Sequence, residues 1–106
     1  MKFYIRLRSS ESQTDELKEV EGKLFKTSQF NGDLAIYKSN GYFILTDLNS
    51  GIMVLTNKKL KDLKAKWNEV IENKYYSLRN NKNCYYENFV KTFENLKRRL
   101  NNEKEN

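Results

Sequence analysis

Three of the four glycines, Gly32, Gly41 and Gly51, follow Asn31, Asn40 and Ser50, and with Gly22 they recur at intervals of nine or ten residues. Asn-Gly and Ser-Gly supply the positive-φ positions that tight hairpins require. Between the glycines lie residues 24–27, 34–39, 42–48 and 52–56, short runs rich in β-branched and aromatic side chains. Upstream, Phe3, Ile5 and Leu7 alternate with Lys2, Tyr4, Arg6 and Arg8, the two-residue period of a strand with one buried face. The pattern predicts an antiparallel meander of about five strands.

A two-residue turn at Asn40-Gly41 sets Tyr37 opposite Ile44, Ile36 opposite Leu45, and Lys38 opposite Phe43. A three-residue bulged loop at Asn49-Ser50-Gly51 sets Leu48 opposite Ile52 and Leu45 opposite Leu55. One face then holds Leu34, Ile36, Phe43, Leu45, Met53 and Leu55. The other holds Tyr37, Tyr42, Ile44, Thr46, Leu48, Ile52 and Val54, which is not the polar surface of a solvated sheet. Either the helices divide between the two faces, or the tyrosine-bearing face stays partly open for binding or for a homodimer. Asp47 falls on the more apolar face beside Met53 and reads as the cap of the following turn. Phe30, beside Asn31-Gly32, reads as a plug at the edge of the core. Thr14 is placed to cap a short helix over residues 15–20, with its acidic residues near the positive helix end.

The second half changes period. Leu60, Leu63, Trp67, Val70 and Ile71 mark an amphipathic helix over residues 58–75, with Asn57 as its N-cap. Tyr86, Phe89, Val90, Phe93, Leu96 and Leu100 mark a second helix over residues 85–100. Residues 101–106 carry no apolar side chain and are expected to fray. The expected architecture is α+β: one domain over residues 1–100, with residues 1–56 mainly β and two C-terminal α-helices packed on the meander.

Several chemistries lack their residues. Histidine is absent, which removes the commonest metal ligand and every Ser-His or Cys-His nucleophile pair. No glycine-rich phosphate loop, nucleophile elbow or paired ligand spacing occurs, so no enzyme activity, cofactor or metal is expected. The one cysteine, Cys84, forms no intramolecular disulfide and reads as a small half-buried hydrophobe. The opening residues carry the charge alternation of a strand, which reads as neither signal peptide nor membrane span, and a cytoplasmic location is expected.

Charge is unevenly placed. Residues 1–56 hold 7 basic and 7 acidic side chains, whereas residues 57–106 hold 13 and 7, so the second half carries the net +6. Glu11, Asp15, Glu16, Glu19 and Glu21 make one acidic segment, expected to fold against the basic helices. Lys58, Lys59, Lys61, Lys64 and Lys66, with only Asp62 among them, load the start of the first helix, where the peptide dipoles disfavour cations. Free N–H groups and a lysine cluster there suit phosphate or an acidic protein surface, although a solvated helix face would carry the same residues. Lys97, Arg98 and Arg99, near a helix C-terminus, are accounted for by stability. Tyr75-Tyr76 and Tyr85-Tyr86 flank a connection holding Arg79 and Lys82, and in each pair one ring can face the core while its neighbour points elsewhere. Tyr75, Arg79, Lys82 and Tyr85 therefore join the lysines as candidate binding residues, through stacking or through anchoring a protein contact.

In overall style, a short meander followed by basic helices with no catalytic constellation, the chain resembles the accessory proteins of phages and mobile elements, including anti-CRISPR inhibitors. The resemblance transfers no functional residue, and the basic balance departs from the acidic, DNA-mimicking members. It implies a non-enzymatic inhibitor of a host nuclease or defence complex, acting by surface occlusion on a protein or nucleoprotein partner with an acidic surface. The alternative is a sequence-tolerant RNA- or DNA-binding protein. No membrane partner is expected.

Overall fold

The computed structural model describes residues 1–8, 15–80 and 86–105. Five strands, β1 (Lys2–Arg8), β2 (Asp15–Leu24), β3 (Leu34–Ser39), β4 (Tyr42–Asp47) and β5 (Met53–Asn57), form one antiparallel sheet in sequence order. A helical run follows as α1 (Leu60–Lys66), a π-helical turn (Trp67–Ile71) and α2 (Glu72–Asn80), and then α3 (Tyr86–Glu105). The α+β class and five-stranded meander read from the sequence are the observed architecture, although the second strand is Asp15–Leu24 and not residues 24–27.

The β3–β4 hairpin has the expected register, Lys38 opposite Phe43, Tyr37 opposite Ile44 and Ile36 opposite Leu45. Its turn places both Asn40 (φ 52°) and Gly41 (φ 82°) in the left-handed region, as this dipeptide favours. The β4–β5 register departs from expectation. Leu45 faces Leu55, but a shift between Leu45 and Thr46 sets Thr46 opposite Met53. The extra residue, Val54, turns toward the helix-covered core and Met53 is left exposed, the reverse of the expected faces.

Residues 15–20 are strand, not the short helix expected. The spacing of Leu17 and Val20 matches a helical stripe, but β1 offers a partner edge with which Asp15–Glu21 pair residue for residue. The register sets Lys2 opposite Glu21 and Arg8 opposite Asp15. The acidic segment thus pairs with β1, although α3 also packs on β2.

β2 is longer than its neighbours and serves two pairings. Residues up to Glu21 pair with β1, and Gly22–Leu24 pair with β3. Gly22 marks the changeover, where a Cβ would lie 2.2 Å from the Ile36 carbonyl oxygen. Beyond it, the β1–β2 hairpin lies across one face of the sheet, with Phe3, Ile5 and Val20 packing on Ala35, Tyr37, Ile44 and Leu48. The Arg6 amide donates to the Gly51 carbonyl at 2.9 Å, tying β1 to the β4–β5 loop. The chain's own first hairpin therefore covers Tyr37, Ile44 and Leu48 of the tyrosine-bearing face, while Tyr42 stays exposed.

The opposite face meets the helices. Leu34, Leu45, Leu63, Trp67 and Phe30 form its buried centre, each aliphatic side chain contributing roughly 1.5–3 kcal/mol. Phe30 plugs this core as read from the sequence, making edge contacts to Trp67 and Tyr76. The first helical run starts two residues later than expected, and Asn57 Oδ1 accepts the Lys59 amide without capping the helix itself. It also continues to Asn80, past the expected end at residue 75. Eight residues of regular α-helix would rotate Tyr75 about 80° from Trp67. The wider π turn removes most of that drift, and Trp67, Ile71 and Tyr75 share one core. α3 runs to Glu105, through a stretch expected to fray. Its buried Phe93 packs with Arg6, whose guanidinium lies 5.7 Å from the ring and donates to the Phe89 carbonyl.

Candidate functional site

Asp47 ends β4 and is fully buried. The register shift sets it beside Ile52, whose carbonyl accepts the Asp47 amide. Its Oδ1 accepts the amides of Asn49 (2.8 Å) and Ser50 (3.2 Å), the turn cap read from the sequence. Its Oδ2 accepts the hydroxyls of Tyr75 from α2 and Tyr86 from α3. Arg79 completes the cluster, 3.4 Å from Asp33 and 4.0 Å from Asp47, with its guanidinium over the rings of Phe30 and Tyr86. One carboxylate thus fastens the β4–β5 loop and two helices together.

Tyr75 and Arg79, expected to present binding groups to solvent, are members of this interior cluster. The physical reason is Asp47, whose buried charge needs donors and takes those that α2 turns inward. Lys82 and Tyr85 lie outside the described residues, as does Cys84. Tyr86, read as an apolar position, holds the second phenol; the pairing of one ring inward beside a buried Asp was the available signal.

Burial raises the pKa of Tyr75 and of Tyr86, and the Asp47 carboxylate raises both further. For Arg79, burial disfavours the cation, but the surrounding Tyr86, Asp47, Asp33 and Tyr75 outweigh it and the guanidinium is held charged more firmly. A phenol with a raised folded-state pKa adds stability that is fully present below its unfolded value near 10. That stability is lost as pH rises further, because the unfolded chain then releases protons that the folded one retains. Urea unfolding at stepped alkaline pH is expected to show stability falling above about pH 10. The double variant Tyr75→Phe/Tyr86→Phe should flatten that fall, and an unchanged slope would contradict the assignment.

The lysines behave differently. Lys58 and Lys59 precede α1, and Lys61, Lys64 and Lys66 project from it; all five are exposed. Because α1 begins at Leu60, Lys59 is its N-cap residue and Lys61 lies in its first turn, so both stand at the positive end of the helix dipole. Lys58 Nζ lies 5.7 Å from the centre of the exposed Tyr42 ring. None of the five forms an ion pair among the described residues, and the acids of β2 do not neutralise them. The five lysines are thus exposed and without ion pairs among the described residues, and Tyr75 and Arg79 are not beside them but in the Asp47 cluster.

Beside these lysines run two cavities. The first, about 370 Å³, has an apolar floor that includes Leu24, Phe25, Ile36, Phe43 and Leu60, with Lys23, Lys38, Lys64 and Glu21 around it. The second, about 410 Å³, includes Lys26, Thr27, Ser28, Asn68 and Glu72. They share Leu24, Phe25 and Lys64 and so form one groove between α1 and the end of β2. Comparison with family models, with curated proteins and with solved structures finds no match to the chain. Among the described residues, no cluster of His, Cys, Asp and Glu could hold a metal ion, and no helix is long and apolar enough to cross a membrane.

Proposed function

We propose that this chain is a non-enzymatic binding protein whose α1 lysines dock on a negatively charged macromolecular surface and occlude it. The observation that carries this reading is the exposed set Lys58, Lys59, Lys61, Lys64 and Lys66, free of ion pairs among the described residues. Five cations held within one short stretch raise the local potential and accelerate encounter with an anionic partner. The resemblance to anti-CRISPR inhibitors makes a host nuclease or defence complex in the cytoplasm the partner class.

Gel filtration with guide-loaded RNA-guided nucleases at low salt tests this. Co-elution, with loss of target cleavage, is the expected result. The triple variant Lys59→Glu/Lys61→Glu/Lys64→Glu should abolish both, and failure to bind any such complex would overturn the reading. Direct capture of bare nucleic acid is the second reading, favoured by the same unpaired lysines. It predicts affinity for an oligothymidylate that falls steeply with salt. The triple variant should then lower the log–log salt slope by about 2, as expected for three lost contacts to a single strand.

A further inference from the structure

We infer that the groove between α1 and the end of β2 is the specificity pocket of the lysine surface, and that it takes an acidic peptide segment of the partner carrying one large apolar side chain. This inference rests on the docking role proposed for the lysines and adds the chemistry of what is docked. The floor is made by side chains that the fold leaves uncovered. Leu24 is 43 % exposed and stands outside both buried clusters, while Phe25, Ile36, Phe43 and Leu60 are only partly covered. A cavity of about 370 Å³ has room for one aromatic or long aliphatic side chain together with part of its backbone, and such a side chain is the form that an energetic anchor takes at protein interfaces.

The mixed charge of the groove selects the occupant. Lys23, Lys38 and Lys64 line the first cavity with Glu21, and Lys26 and Lys64 line the second with Glu72. Glu72 Oε1 is buried without a hydrogen-bond partner among the described residues, so it asks for an N–H donor from whatever occupies the groove. A nucleic-acid strand laid along both cavities would bring its evenly spaced phosphates against the Glu21 and Glu72 carboxylates. A peptide can concentrate its acids near the lysines, place its apolar side chain between them, and offer a backbone amide to Glu72. The charge pattern therefore favours protein over nucleic acid.

The test uses three fluorescein-labelled probes and the intact chain, with binding read as anisotropy at low salt. One probe is a nonapeptide with a central tryptophan, two glutamates on each side of it and serines at both ends, the second replaces that tryptophan by serine, and the third is an oligothymidylate. The tryptophan peptide is expected to bind at least about tenfold more tightly than the serine peptide. Leu24→Ser, which touches no buried cluster, should erase that difference and leave the serine peptide unchanged. Lys38→Glu, at the rim, should weaken both peptides. Equal affinity of the two peptides, lost in Lys59→Glu/Lys61→Glu/Lys66→Glu, would overturn the pocket while leaving the lysine surface standing. An oligothymidylate that binds more tightly than the tryptophan peptide would overturn it in favour of a nucleic-acid occupant. Absence of binding by all three would overturn the pocket and the docking role together.

Discussion

Asp47→Ala is expected to destabilise the fold by about 3–5 kcal/mol, measured as the shift of a urea unfolding curve at neutral pH. Removing the carboxylate leaves two phenols and two loop amides without their acceptor, and it deprives a largely buried guanidinium of one of its two counter-charges. Desolvated groups that lose a partner cost more than the partner had contributed. Tyr75→Phe and Tyr86→Phe, which each remove one donor and leave the rest satisfied, should cost only about 1 kcal/mol apiece. Small domains hold about 5–15 kcal/mol in total, so the alanine variant would lie near the edge of folding. A loss below about 1 kcal/mol would mean that the cluster is incidental to stability.

Gly22→Ala should be the most damaging single-methyl change on the surface of the sheet, at about 3 kcal/mol. The added carbon would meet a backbone carbonyl, Ile36 oxygen at 2.2 Å, and the Ile36 carbonyl carbon at 2.9 Å. Backbone of a paired strand cannot swing aside as a flexible side chain can. Relief requires opening the Gly22–Tyr37 pairing, and with it the seat of Tyr37 under Phe3. Proton exchange should report this locally, with amides of the β1–β2 hairpin losing protection before those of β3 and β4. Uniform loss across the sheet would instead point to a fold with no separable first hairpin.

Where local chemistry decides, sequence was informative. Asn40-Gly41 fixes a turn by its own backbone preference, and the pairings of Lys38, Tyr37 and Ile36 follow from it. Where partners decide, it was not. The residues from Asp15 to Val20 have helical spacing and a plausible cap, and only the presence of β1 makes them a strand. The bulge that exchanges Met53 for Val54 depends on how β5 meets the helix-covered core. Around α1, the sequence left the state of the lysines open, since Asp62 and the acidic residues of β2 could each have neutralised them, and the pairing of β2 with β1 decided it. The fate of Tyr75 and Arg79 was not legible either, since it depends on a buried aspartate from a different element. The groove was invisible for the same reason, being assembled from β2, β3, β4 and α1.

That same irregularity in β5 bears on how the molecule behaves in a crowded solution. β5 is the last strand of the sheet, five residues with no proline and no charge, the kind of border that invites another chain to join it. The extra residue interrupts the regular ladder spacing just where a visiting strand would begin to match it, and two ammonium groups stand at the exit. Straightening this border by deleting Val54 is expected to raise the tendency of copies to join edge to edge, read as increased light scattering.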